Sequence, residues 1–166
     1  MKNHFLNHLV ICALGLASGA CVSVNLPNSA GSPAKNVEFS EPSAPFNEIK
    51  VKTTDKAWLS GKTGNTMSYY SDCNASTDPS LKQMETESIN VLNKLDILNS
   101  KQYDFNGREA LETIAQGEVD GVPVKTQLLV FKKNSCNYTI TYGGLIQNFD
   151  LEVKFFQKFL ESFRAP

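Results

Sequence analysis

The chain has 166 residues, 41% hydrophobic and 20% charged, with 16 basic and 17 acidic side chains and a net charge of −1. That suits one folded domain with sequence to spare for targeting, and with no basic patch it excludes nucleic acid as an expected partner. The only two histidines, His4 and His8, stand at the extreme N-terminus.

Met1–His8 carries one lysine, the run LVICALGLA from Leu9 to Ala17 is apolar, and Ser18, Gly19 and Ala20 are small. This order of charged, apolar and small-residue regions predicts a cleaved export signal over residues 1–20. A membrane-spanning helix would need about 20 apolar residues, and Asn7 and His8 cut this run short. Both histidines leave with the signal. The exported protein then lacks the imidazole base of Ser–His–Asp and Cys–His catalysis and the commonest metal ligand, so neither a metal nor a cofactor is expected.

Cysteine counting gives the next expectation. Cys12 leaves with the signal, and Cys21, Cys73 and Cys136 remain, an odd number for an exported protein. The parity resolves if Cys21 becomes the first residue and its sulfur is acylated, which leaves Cys73 and Cys136 as one disulfide in an oxidising compartment. The segment SGAC resembles the lipobox of bacterial lipoproteins at Gly19, Ala20 and Cys21, and departs from it at Ser18, where that class usually carries Leu. The resemblance implies a palmitate-bearing Cys21 anchored in membrane lipid. With Val22 rather than Asp next, it also implies the periplasmic side of the outer membrane if the host is diderm. Ordinary cleavage before Cys21, leaving a free thiol, is the alternative.

From Val22 to Pro45 the chain is rich in Pro, Ser, Asn, Gly and Ala. Residues 21–45 therefore read as a lipidated cysteine and flexible tether, with a single α+β domain over 46–166. A strand within NVEFS is the competing reading of the tether.

Within the domain, FNEIKVKT alternates around Phe46, Ile49 and Val51, and KAWLSGKTGNTMSYYSDC predicts a hairpin turning over Gly61–Asn65. Its second strand places Met67, Tyr69, Ser71 and Cys73 on one face. The segment DPSLKQMETESINVLNKLDILNS predicts a helix capped by Asp78, with Pro79 in its first turn. Leu81, Met84, Val91, Leu92, Leu95 and Leu98 form its stripe, broken once at Ser88. Asp120-Gly121 signals a hairpin between strands Glu109–Glu118 and Val122–Phe131, and a second turn over Lys133–Ser135 leads to a strand with Cys136, Tyr138, Ile140 and Tyr142 on one face. Gly143-Gly144 ends it. The segment NFDLEVKFFQKFLESF predicts a helix whose Phe155, Phe156, Phe159, Leu160 and Phe163 face a core.

The order strands, helix, strands, helix predicts an antiparallel β-sheet with two main helices packed on one or both faces. With FNGREAL, DGVPV, NYTITY and FFQKFLESF in place, the stretch Phe46–Phe163 resembles the PsbP-like group of small α/β/α sandwich domains. That resemblance implies a binding or assembly module, not an enzyme, with an envelope protein as a possible partner.

No phosphate loop, nucleophile elbow or calcium-loop spacing occurs. Asp72, Asn74 and Asp78 read as a turn and a helix cap. Glu109, Glu112, Glu118 and Asp120 read as solvated strand and turn positions. They leave one enzymatic alternative, a carboxylate-dependent hydrolase of envelope glycans, which needs two acids about 5 to 10 Å apart. Arg108, beside the Asn106-Gly107 turn signal, could contact a partner, although a lone turn arginine is usually just exposed. A redox or metal role for Cys73 and Cys136 is disfavoured, because they form no C-x-x-C motif and have no histidine to complete a site.

Overall fold

The computed structural model describes residues 32–74 and 77–166. The export signal 1–20, the acylation of Cys21 and the first part of the tether lie outside the described residues.

Three two-residue hairpins organise the second half of the chain. Asn106-Gly107, Asp120-Gly121 and Asn134-Ser135 all hold positive φ, between 50° and 79°. Paired positive φ is what a type I′ turn needs, and its twist matches that of the strands it joins. The turns link β4 (Asn93–Phe105), β5 (Arg108–Val119), β6 (Val122–Lys133) and β7 (Cys136–Leu145) into a meander. A shorter meander of β1 (Phe46–Ile49), β2 (Lys56–Ser60) and β3 (Thr66–Cys73) joins it where β3 pairs with β7. The result is one antiparallel sheet in the order β1-β2-β3-β7-β6-β5-β4.

Each sheet face takes one helix. On one face α2 (Ile146–Ser162) presses Phe149, Phe156 and Phe159 onto Trp58, Met67, Tyr138, Ile140 and Tyr142, the inward residues of successive strands. On the other face α1 (Leu81–Ile89) sets Met84 and Ile89 over Leu111, Leu128 and Val130. The sheet expected from the alternation is present, as are the aromatic stripe of the last helix and the shared faces of Met67–Cys73 and Cys136–Tyr142. The β7 strand runs through Gly143-Gly144 to Leu145, and β1 stops at Ile49, leaving Val51 exposed. Gly144 has a packing reason: a Cβ there would stand 1.9 Å from Asn65 Oδ1. Gly144→Ala is therefore expected to lower stability by about 1–3 kcal/mol, read as a lower thermal midpoint.

Two expectations are corrected. The helix foreseen over Asp78–Ser100 stops at Ile89, and Val91 to Leu98 lead into and along the edge strand β4. The helix cap is Ser80, whose hydroxyl accepts from Gln83 N–H at 3.2 Å while Gln83 Oε1 accepts from Ser80 N–H at 2.8 Å, a reciprocal capping box; Asp78 instead pairs with Lys132. Near the helix end, Ser88 and Thr86 turn their hydroxyls back onto the carbonyls four residues earlier, which weakens helix continuation. Beyond it Asn90, Asn93 and Asp96 are poor helix formers, and pairing with β5 satisfies the backbone as a strand.

The second correction concerns the tether. Residues 32–45 lie on the domain, so its described part begins at Ser32, not at Phe46. Ser32 and Cys73 exchange two backbone hydrogen bonds of 3.1 and 2.8 Å, and Glu38 and Arg164 exchange two of 3.0 and 2.7 Å. Phe39 inserts its ring among Trp58, Tyr69, Phe159 and Phe163 at centroid distances of 5.4 to 6.2 Å. Trp58 Nε1–H donates to Glu41 at 2.8 Å. The competing strand reading of NVEFS meets a single bridge at Glu38, while the Pro- and Ser-rich composition hid the Phe39 anchor and the bridge at Ser32.

Candidate functional site

Side-chain alternation along β4 places Lys101, Tyr103 and Phe105 on the α2 face, where α2 does not cover the sheet completely. Phe105 reaches the core and meets Phe131 edge-on at 5.2 Å. Tyr103 and Phe105, the Asn106 turn, and Leu160, Glu161 and Arg164 at the end of α2 border an open cavity of about 440 Å³. The Asn106 side chain fixes this geometry. It donates to the Phe163 carbonyl at 3.1 Å and accepts from Ala165 N–H at 2.9 Å, clamping the hairpin to the chain end. The cavity thus has an aromatic wall, an aliphatic floor residue and rim charges of both signs, as a recognition pocket requires.

Beside it lies Glu112, which is buried rather than solvated as the sequence suggested. Register sets it opposite Lys101 on β4 and Leu129 on β6. Lys101 Nζ approaches its carboxylate at 3.1 Å and Gln127 Nε2 donates to it. A buried carboxylate demands such partners. Burial, and then the adjacent Glu112 charge, push the Tyr103 hydroxyl above its ordinary pKa.

The other buried acids are held in the same way. Glu85 of α1 accepts from Thr113 and Lys82. Glu152 of α2 accepts from Ser60 at 3.0 Å, from Thr63 and from Asn65 at 3.3 Å, locking the β2–β3 turn to the helix. Glu85 and Glu112 occupy opposite faces of the sheet. Of the four acids considered for hydrolysis, Glu109 and Glu112 also face opposite ways. Glu118 lies about 20 Å along β5 from Glu112 and pairs with Lys94 at 2.8 Å, and Asp120 occupies the turn. These acids do not converge on one substrate bond. Among the described residues no three His, Cys, Asp or Glu side chains gather as a metal site.

Cys73 and Cys136 are paired in register on β3 and β7 and form the disulfide, closing a separation of 63 residues. Next to it, Arg108, Lys132, Lys133 and the β6–β7 turn line a second cavity of about 390 Å³. Tyr103, Phe105 and Leu160 were not foreseen as site residues, although the alternation of Lys101, Tyr103 and Phe105 before an Asn-Gly turn was a usable signal.

All five tyrosines are shifted upward, burial being the first cause in each. Tyr69 is pushed up from 10.0 to about 12. A hydroxyl whose folded pKa exceeds its unfolded value stabilises the fold below the unfolded value, and the benefit is lost as pH rises through the folded one. The protein is therefore expected to keep its full tyrosine contribution up to pH 10.0 and to lose it toward about 12. Spectrophotometric titration should show tyrosinate absorbance rising late and together with unfolding. A normal, non-cooperative rise centred at pH 10.0 would contradict the burial described here.

No protein-family model matches the chain, and neither does any curated protein sequence. Solved structures do match in shape. The solution structure of cyanobacterial PsbP (CyanoP) from Synechocystis sp. PCC 6803 aligns with a TM-score of 0.58 at 13% identity, over 90% of this chain and 99% of that one. The crystal structure of LpqN, described as involved in cell envelope biogenesis of Mycobacterium tuberculosis, aligns with a TM-score of 0.61 at 9% identity, over 84% of this chain and 88% of that one. At such identities the likeness is one of fold, and the seven-stranded antiparallel sheet with a helix on each face is the PsbP-like fold.

Proposed function

We propose that this protein is an envelope lipoprotein, anchored to membrane lipid through acylated Cys21, whose PsbP-like domain binds a partner protein or ligand without catalysing a reaction on it. The observation that carries the binding role is the cavity between Tyr103, Phe105 and the end of α2, which pairs aromatic and aliphatic surface with rim charges. The buried acids beside and beyond it are held in hydrogen bonds to the fold, which suits recognition better than proton transfer. The envelope role named for LpqN favours the same setting. Among the described residues no helix is long and apolar enough to cross a membrane, so membrane residence would rest on the lipid, whose several acyl chains suffice for a stable anchor.

Two experiments test the two halves. Cys21→Ser should move the protein from the detergent fraction to the soluble fraction, and unchanged partitioning would sink the anchor. Glu161→Arg, at the exposed cavity rim, should abolish co-isolation of the partner from detergent-solubilised envelopes while the circular dichroism spectrum stays as it was. Undiminished co-isolation would remove the cavity from the recognition surface.

A further inference from the structure

The second cavity, beside the disulfide, has a different chemistry. Arg108 opens β5 and Lys133 closes β6. Continuing the register Leu111↔Val130 and Ala110↔Phe131 by two places sets Arg108 opposite Lys133 on the α2 face. Like charges in that position repel and weaken a strand pair, unless an anion lies between them. Lys132 borders the same cavity from the other face of the sheet, where it holds Asp78 and donates to the Pro79 carbonyl at 3.2 Å. Lys133 is steadied by the Ala165 carbonyl at 2.7 Å. Arg108 pairs with no acid among the described residues. The Asn134-Ser135 turn adds amide and hydroxyl groups to the lining. Arg108 and Lys133 on one face, with Lys132 paired to Asp78 on the other, make a lining suited to an oxyanion, with a guanidinium for bidentate contact.

The cavity also sits where the chain enters the domain. Cys136 lines it, Cys73 is disulfide-bonded to Cys136, and Ser32 bridges Cys73. The chain from Cys21 to Ser32 spans at most about 40 Å.

We propose that the cavity of Arg108, Lys132 and Lys133 is a phosphate-binding site at the membrane-proximal end of the domain. The oxyanion seats between Arg108 and Lys133 and relieves their repulsion, while Lys132 keeps its pairing with Asp78. Its placement near the membrane rests on the anchored reading above; its anion chemistry does not. The group arrives either as an anionic lipid headgroup or as a free phosphate.

The exported chain carrying Cys21→Ser is the protein to use, since any membrane retention then comes from the domain and not from an acyl anchor. Two binding measurements separate the sources: flotation with phosphatidylglycerol vesicles against phosphatidylcholine vesicles, and calorimetric titration with inorganic phosphate. Retention on phosphatidylglycerol alone assigns the site to headgroups, and saturable binding of inorganic phosphate assigns it to a soluble source. Either supports the proposal if Arg108→Ala weakens it by about tenfold or more while Lys52→Ala, an exposed lysine on the β1–β2 connection at the far edge of the sheet, does not. Absence of both kinds of binding, or equal loss in Arg108→Ala and Lys52→Ala, overturns it. Phosphate binding that persists in a protein found unanchored in cells would end the tethered reading and leave this one standing.

Discussion

A chain that begins at Pro45 will be markedly less stable than one that begins at Ser32. The missing segment holds Phe39, whose ring meets four aromatic neighbours. It also holds the backbone bridges to Cys73 and Arg164, and Glu41, the acceptor for Trp58 Nε1–H. Phe39→Ala by itself is expected to cost about 3 kcal/mol, the low end of the range for removing a packed phenylalanine, because the ring is only partly buried. Deletion should cost more, since it also uncovers Trp58 and strips its hydrogen bond. Against a typical total of about 5–15 kcal/mol, that is enough to lower the urea midpoint sharply. A tether would give another result: superimposable unfolding curves for both chains and for Phe39→Ala.

Reduction of Cys73–Cys136 is expected to have an effect of similar size. The two cysteines are directly paired on β3 and β7, the strands at which the two meanders join. Closing a separation of 63 residues restricts the unfolded chain by about 4 kcal/mol in the chain-entropy description. Chemical denaturation with and without reductant should show that loss, and Cys73→Ser with Cys136→Ser should reproduce it without reductant. Identical midpoints would mean that the bridge contributes nothing to stability. Two free thiols among these positions in the denatured, unreduced protein would mean that it does not form.

Sequence patterns located most of the fold where local chemistry and long-range packing agree. Asn106-Gly107 and Asp120-Gly121 announce their turns because those residue types tolerate positive φ. The phenylalanines of α2 recur at helical spacing and lie against the core as that spacing implies. Agreement fails between Val91 and Phe105. There Val91, Leu92, Leu95 and Leu98 mimic a helix stripe, and what decides the matter is an available partner strand, Glu109–Glu118, that lies later in the chain. Leu95, Ile97 and Leu98 end up exposed along an edge, not packed in a helix seam. The same mistake concealed the site. Without β4 as a strand, neither the burial of Glu112 opposite Lys101 nor the wall of Tyr103 and Phe105 follows from alternation. Phe39 failed for another reason, as a lone aromatic carries no period and its neighbours Pro, Ser and Asn argue for solvent.

The proposed recognition of an envelope partner through the cavity at the end of α2 can be read out in intact cells. A photo-crosslinking amino acid placed at Glu161, on the cavity rim, should trap a discrete adduct of fixed mass, and the same group at exposed Lys52 should not. The adduct should fade when Tyr103→Ala is added, because the aromatic wall is lost. Equal trapping at both positions, or none at Glu161 under conditions where the protein is folded and oxidised, would contradict the account.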